Sequence, residues 1–133
     1  MTLRAVLHAH IPTLTMRSTL RDAIDKMTLY QFATLVIVDE NHAPVAVITE
    51  GDVARAVHQR GNLTSLASDT ALHFGSQSPQ IVGPDMEISD ALHLMLNSGL
   101  TVLPVVENGG LIGVALRTDL MHAILLDAPV KQI

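Results

Sequence analysis

The chain has 133 residues, enough for one compact domain or for two small halves sharing a core. Hydrophobic residues make up 48% and charged ones 16%, so a sizeable core can be buried, while aromatics are only 2% and the net charge is −5. That balance excludes a basic footprint for a phosphate backbone and leaves no aromatic platform for single-stranded nucleic acid. The absence of cysteine excludes disulfides, thiolate metal sites and cysteine nucleophiles.

The N-terminus, MTLRAVLHAH, lacks the layout of a signal peptide, because its apolar stretch is short and carries His. No apolar run approaches the ~20 residues that span a bilayer. A cytoplasmic protein with no membrane insertion is expected. The initial Met and the short tail after Leu126 allow a stand-alone chain and equally a piece of a larger protein.

A short extended piece, TLT at 13–15, precedes the first helix. Ser18-Thr19 followed by Asp22 is a capping signal, with Asp in the usual Glu place. Leu20, Ala23, Ile24 and Met27 then follow the i, i+3, i+4, i+7 spacing of an amphipathic helix. TLVIV at 34–38 and PVAVI at 44–48 read as strands, joined by a turn at Asn41-His42. They are almost continuously apolar, so both faces are expected to be covered. A second helix is expected to open at Asp52 and stop at Gly61. The polar stretch GNLTSLASDT then joins two halves.

The second half runs through the same elements. QIV at 80–82 is extended, and Ile88, Ala91, Leu92 and Met95 carry the helical spacing, with Gly99 as its stop. TVLPVV at 101–106 and LIGVAL at 111–116 are strands. Asn108-Gly109 between them is a strong type I′ hairpin signal. A last helix is expected to open at Asp119.

This likeness is a duplication. DAIDKM at 22–27 recurs as DALHLM at 90–95, an offset of 90 − 22 = 68. Asp52 matches Asp119 and Pro12 matches Pro79, both at 67. Two copies follow, over 3–65 and 66–127, each strand, helix, strand, strand, helix. One such unit of about 50 residues buries too little apolar surface alone. The expected fold is therefore α/β (α+β), two pseudo-symmetric β-α-β-β-α repeats packed sheet to sheet with helices outside.

The duplication near 67 residues, the LPVVEN strand at 103–108 and the apolar strand running into Thr49-x-x-Asp52 together resemble a pair of cystathionine-β-synthase (CBS) domains, over roughly residues 3–126. The resemblance implies a regulatory module that does no chemistry itself. Such pairs bind adenosine-containing ligands (AMP, ADP, ATP, S-adenosylmethionine, sometimes NAD-type dinucleotides) in clefts between the halves. They commonly form homodimers and signal to a protein partner, which the sequence leaves unknown. In the family the Asp of the corner accepts from the ribose hydroxyls and the Thr or Ser three residues earlier donates to phosphate. A carboxylate, with acceptors only, suits two vicinal hydroxyls. A hydroxyl beside a helix N-terminus suits an anion.

On that resemblance the better site comprises Thr49 and Asp52, with Ile81, Val82, Leu100 and Thr101 against the base. The weaker site comprises Asp119 and Arg117, with Leu14, Thr15, Phe32 and Ala33 against the base. It is weaker because Leu116 replaces the phosphate-side hydroxyl, although the neighbouring Arg117 offers charge. Ala46 stands where the other copy has Gly113 and is expected to crowd its strand, and Val36 replaces the Pro kept at 104.

Each of these residues also has a plainer reading. Asp52 and Asp119 are good helix caps, Thr49 suits a strand end, and Arg117 suits a solvated surface. His8 and His10 would share one face of a strand, but two ligands do not close a zinc site and no HExxH pattern occurs, so no metal is expected. His58, His93 and His122 fall on helices. No P-loop or GxSxG motif occurs, so no catalytic residues and no enzyme activity are expected. The alternative to ligand sensing is a structural or dimerisation module with empty clefts. It would act through apolar residues of the final helices, such as Ala54, Val57, Met121 and Leu125.

Overall fold

The computed structural model describes residues 1–60 and 63–127. By its contacts the chain forms two compact units: Pro12–Pro79 with Gly109–Leu111, and Met1–Ile11 with Gln80–Asn108 and Ile112–Ile133. The stop assigned to Gly61 lies outside the described residues. Among the described residues, no helix is long and apolar enough to cross a membrane.

The first unit holds a four-stranded sheet in the order β1 (Thr13–Thr15), β2 (Thr34–Val38), β3 (Pro44–Thr49), β4 (Ser76–Gln77). β1 lies parallel to β2, with Thr15 opposite Val38, and the other pairs are antiparallel. A parallel neighbour needs a crossover, and helix α1 (Leu20–Tyr30) supplies it. The capping box forms as its sequence indicates: Asp22 N–H donates to Thr19 Oγ1 at 3.2 Å and Thr19 N–H to Asp22 Oδ2 at 2.9 Å. All five residues of β2 are buried. Leu14, Leu20, Leu35, Ile37 and Ile48 form the core beneath them.

Three details differ from the sequence reading. The expected three-stranded sheet gains β4 as a fourth strand. The joining stretch is more than a linker, because it contains helix α3 (Leu63–Ala67), which buries Leu66 in this core. The turn after β2 is not a two-residue hairpin. Asp39 Oδ1 accepts from Asn41 N–H and Ala43 N–H, both at 2.9 Å, and organises a longer loop in which only His42 takes a left-handed backbone.

β5 (Val102–Glu107) and β6 (Gly110–Leu116) form a two-stranded hairpin. Both residues of its loop, Asn108 and Gly109, have positive φ (54° and 81°), as a type I′ turn requires. QIV does not form a strand. Only Val82 bridges to Val105, in parallel. Helix α4 (Ile88–Ser98) ends at left-handed Gly99. The equivalent end of α1 uses Gln31 in the same backbone state, with its side-chain amide donating to Thr28 O at 2.7 Å. Helix α5 (Arg117–Asp127) follows β6 directly.

Repeat and compact unit are different partitions of the chain. Leu3 is fully buried among Ile88, Ala91, Met95, Leu103 and Leu120, so the N-terminal leader packs on second-copy residues. Ala71, its counterpart at an offset of 71 − 3 = 68, is fully buried among first-copy residues. The register repeats as well. Thr15 opposite Val38 becomes Val82 opposite Val105, and Val47 opposite Ser76 becomes Val114 opposite His8.

The duplication thus includes each leader's edge pairing. A Cβ on Gly113 would stand 2.3 Å from His8 O and 2.7 Å from Leu7 Cδ1, so only glycine lets the leader lie there. Ala46, the matching residue, is fully buried in the first core and pairs with Gln77.

Candidate functional site

Both corners lie where a strand runs straight into a helix. α2 (Glu50–Arg60) starts immediately after β3. Neither Asp52 nor Asp119 opens its helix. Each is the third helical residue, three positions past the residue at the cap. At the first corner Thr49 does the capping: Asp52 N–H donates to Thr49 Oγ1 at 3.1 Å, and Thr49 N–H donates to Asp52 Oδ2 at 2.9 Å. This is a capping box with Asp as its acidic member. The sequence pattern read as a ligand motif is therefore also a complete folding motif.

The box fixes a hydroxyl and a carboxylate side by side. The Asp52 side chain is only 12% exposed, and Arg55 Nη2 donates to its Oδ1 at 2.5 Å. Arg55 is itself 66% exposed, so its guanidinium stays accessible to other acceptors. Sequence reasoning missed this residue. The signal available was the Asp52-x-x-Arg55 spacing, which places an acid and a base on one helix face.

The second corner is built differently. Leu116 offers no hydroxyl, and the Arg117 N–H donates to Thr101 O at 3.2 Å. Asp119, 38% exposed, pairs through Oδ2 with Nε2 of His8, 46% exposed. His8 also escaped the sequence reading, which weighed it only as a metal ligand beside His10. It arrives from the leader, far away in sequence, and no local periodicity points to it. Among the described residues no group of three or more His, Cys, Asp or Glu is arranged to hold a metal ion.

The base-side residues divide into two groups. Ala33 O accepts from Glu50 N–H at 2.8 Å, which sets Ala33 at the head of α2, as Thr101 is set at the head of α5. Phe32 and Ala33 line a cleft of about 440 Å3 together with Ile24, Met27, Glu50 and Val53. Leu14 and Thr15 are not brought to that place. Thr15 pairs with Val38, five residues along from Ala33, or roughly 16 Å of strand. It lines a separate cleft of about 430 Å3 with Arg17, Val38 and Glu40. Val82 is likewise opposite Val105, four residues or roughly 13 Å beyond Thr101.

The leader is held by one further cluster. Arg4 donates to Glu107 Oε2 at 2.5 Å and Oε1 at 3.3 Å, and to Asp85 Oδ1 at 3.3 Å. The bond from Arg4 lowers the Glu107 carboxyl below its ordinary value, and the same bond raises the Arg4 guanidinium.

Two stretches of the chain, 3–59 and 73–126, match the CBS domain. The chain belongs to the CBS-domain family. A 17.7 kDa protein of Acidianus ambivalens is 31% identical over 108 residues, which make up 80% of this chain and 63% of that protein. The protein MK0525 of Methanopyrus kandleri is 35% identical over 99 residues, covering 73% of this chain and 49% of its own length. The chain thus spans between half and two thirds of these curated relatives. The structure of CBSX2 in complex with AMP shares this CBS fold, with a TM-score of 0.82 at 22% identity, covering 94% of this chain and 96% of that one.

Proposed function

We propose that this CBS pair is a regulatory module that takes an adenosine-containing nucleotide, of the AMP, ADP, ATP or S-adenosylmethionine class, at the Thr49/Asp52 corner. It would pass the resulting change of state to a protein partner. The observation that carries this reading is the pair fixed by the capping box, a hydroxyl and a nearly buried carboxylate held in place before any ligand arrives. Preorganised groups lose less freedom on binding. Arg55 adds the missing charge: a ribose accepted by Asp52 would share or displace the guanidinium, which then suits a phosphate. The CBS fold shared with AMP-bound CBSX2 supports the ligand class. For the base, the resemblance assigns Ile81, Val82, Leu100 and Thr101 to this corner, and Thr15 and Ala33 to the Asp119 corner with Arg117. A ligand acts as a signal only through its different affinity for two states of the module.

A thermal-shift screen with AMP, ADP, ATP, S-adenosylmethionine and NAD tests the reading. A ligand at 100 times its Kd stabilises the native state by about 2.7 kcal/mol, so the melting point should rise by several degrees. No rise with any of them at millimolar concentration would refute it.

A second reading has one observation in its favour: both carboxylates already hold a side-chain partner from their own chain, Arg55 or His8. In that case the module is a non-catalytic interaction or dimerisation unit. Val57, Met121 and Leu125 are exposed, the last by 73%, and would form its contact surface as a homodimer. Light scattering on Val57→Asp and Leu125→Asp discriminates. Variants that associate as the wild type does would exclude that surface.

A further inference from the structure

Asp119 is the sugar-side carboxylate of the second corner, and the leader already holds it. His8 Nε2 pairs with Asp119 Oδ2. Two backbone bonds pin the leader there, His8 N–H to Val114 O at 2.9 Å and Val114 N–H to His8 O at 3.0 Å. Gly113 makes this approach possible, since a Cβ would meet His8 O at 2.3 Å. The first copy repeats the edge pairing with different chemistry: the residue opposite Val47 is Ser76, and Asp52 takes its cation from within α2. The imidazole is thus a feature of the second corner alone.

We infer that His8 is a gate on Asp119 that keeps the second corner closed to adenosine nucleotides. A ribose that sets its two vicinal hydroxyls on Asp119 has to displace the imidazole from Oδ2. The leader's pairing to Val114 keeps the ring beside that oxygen, whereas Arg55 is tethered only by its own exposed side chain and can turn from Asp52 toward a phosphate. The side chain of His8, not its backbone, does the closing, so its removal leaves the leader's pairing to Val114 in place. His8 thereby limits the module to one nucleotide per chain. This rests on the proposed reading of the corners as nucleotide sites.

Isothermal titration with AMP on four proteins tests both together: wild type, His8→Ala, Asp52→Asn and the double variant. The expected stoichiometries are one, two, none and one per chain. His8→Ser, which copies Ser76, serves as a second opening variant should His8→Ala lose its cooperative melt. If both His8 variants bind one AMP with wild-type affinity, the gate is wrong and the nucleotide reading stands. If wild type binds none and the His8 variants bind one, the gate stands and the Thr49/Asp52 assignment is wrong. If nothing binds in any of them, both fall.

Discussion

The two corners of this CBS pair descend from one motif and have been finished in opposite ways. At the first, Thr49 and Asp52 satisfy each other, and the cation on the carboxylate comes from Arg55, three residues along the same helix. At the second, the cap is lost to Leu116, and Asp119 takes its partner from His8 at the other end of the chain. The first corner is a self-contained local structure. The second depends on where the leader lies. A duplicated site can thus keep its acidic residue while the surrounding contacts assign it a different task.

The comparison can be broken most forcefully at Gly113. Gly113→Ala drives a methyl into the leader backbone and should cost about 1–3 kcal/mol in chemical denaturation. The reverse change in the other copy, Ala46→Gly, should cost about 1 kcal/mol or less. Equal losses would mean that the two edge pairings are equally tight.

A smaller effect is expected at the cap. Thr49→Ala removes one half of the capping box and should lower stability by about 1 kcal/mol, read from the denaturation midpoint. Thr49→Ser, which keeps the hydroxyl, should recover most of it. No loss in Thr49→Ala would show that the box contributes nothing and leave its hydroxyl without a folding role.

The smallest effect concerns pH. Arg4 holds Glu107 below its ordinary value, so the unfolded chain binds the proton more readily. The contribution is present above the ordinary carboxylate range and is lost as pH falls through the lowered value of Glu107. Both groups are solvent-exposed, so the change is small. Arg4→Gln should flatten the acid limb of a melting-temperature profile relative to wild type. An unchanged limb would show that the pair does not anchor the leader.

Much of this was legible in the sequence, because local chemistry decides it. The Thr19/Asp22 box, the Asn108-Gly109 hairpin and the Gly99 stop each follow from residues within four positions of one another. The duplication itself was legible from matched words at offsets of 67 and 68. What escaped the sequence depends on long-range placement. Helical spacing cannot tell that Leu66 completes a core or that Leu3 packs on second-copy residues. The reading of Asp52 as a cap failed because Asp is itself a good N-cap residue, whereas the Thr49-x-x-Asp52 box puts the cap at Thr49 and the Asp inside the first turn. The base-side residues come from the family resemblance alone, and no local pattern shows that strand register sets Thr15 five residues along from Ala33 and Val82 four from Thr101. His8 is the clearest case, since it becomes part of the second corner only through a bridge to Val114 that no short pattern encodes.

The inequality of the corners is tested most directly by titrating AMP into the wild type, Asp52→Asn and Asp119→Asn. Asparagine keeps an oxygen that can still accept from the Thr49 N–H, so the first variant separates ligand recognition from capping. One AMP per chain, abolished in Asp52→Asn and unaltered in Asp119→Asn, is the predicted result. Two equivalent sites in the wild type, or binding abolished by Asp119→Asn alone, would contradict it.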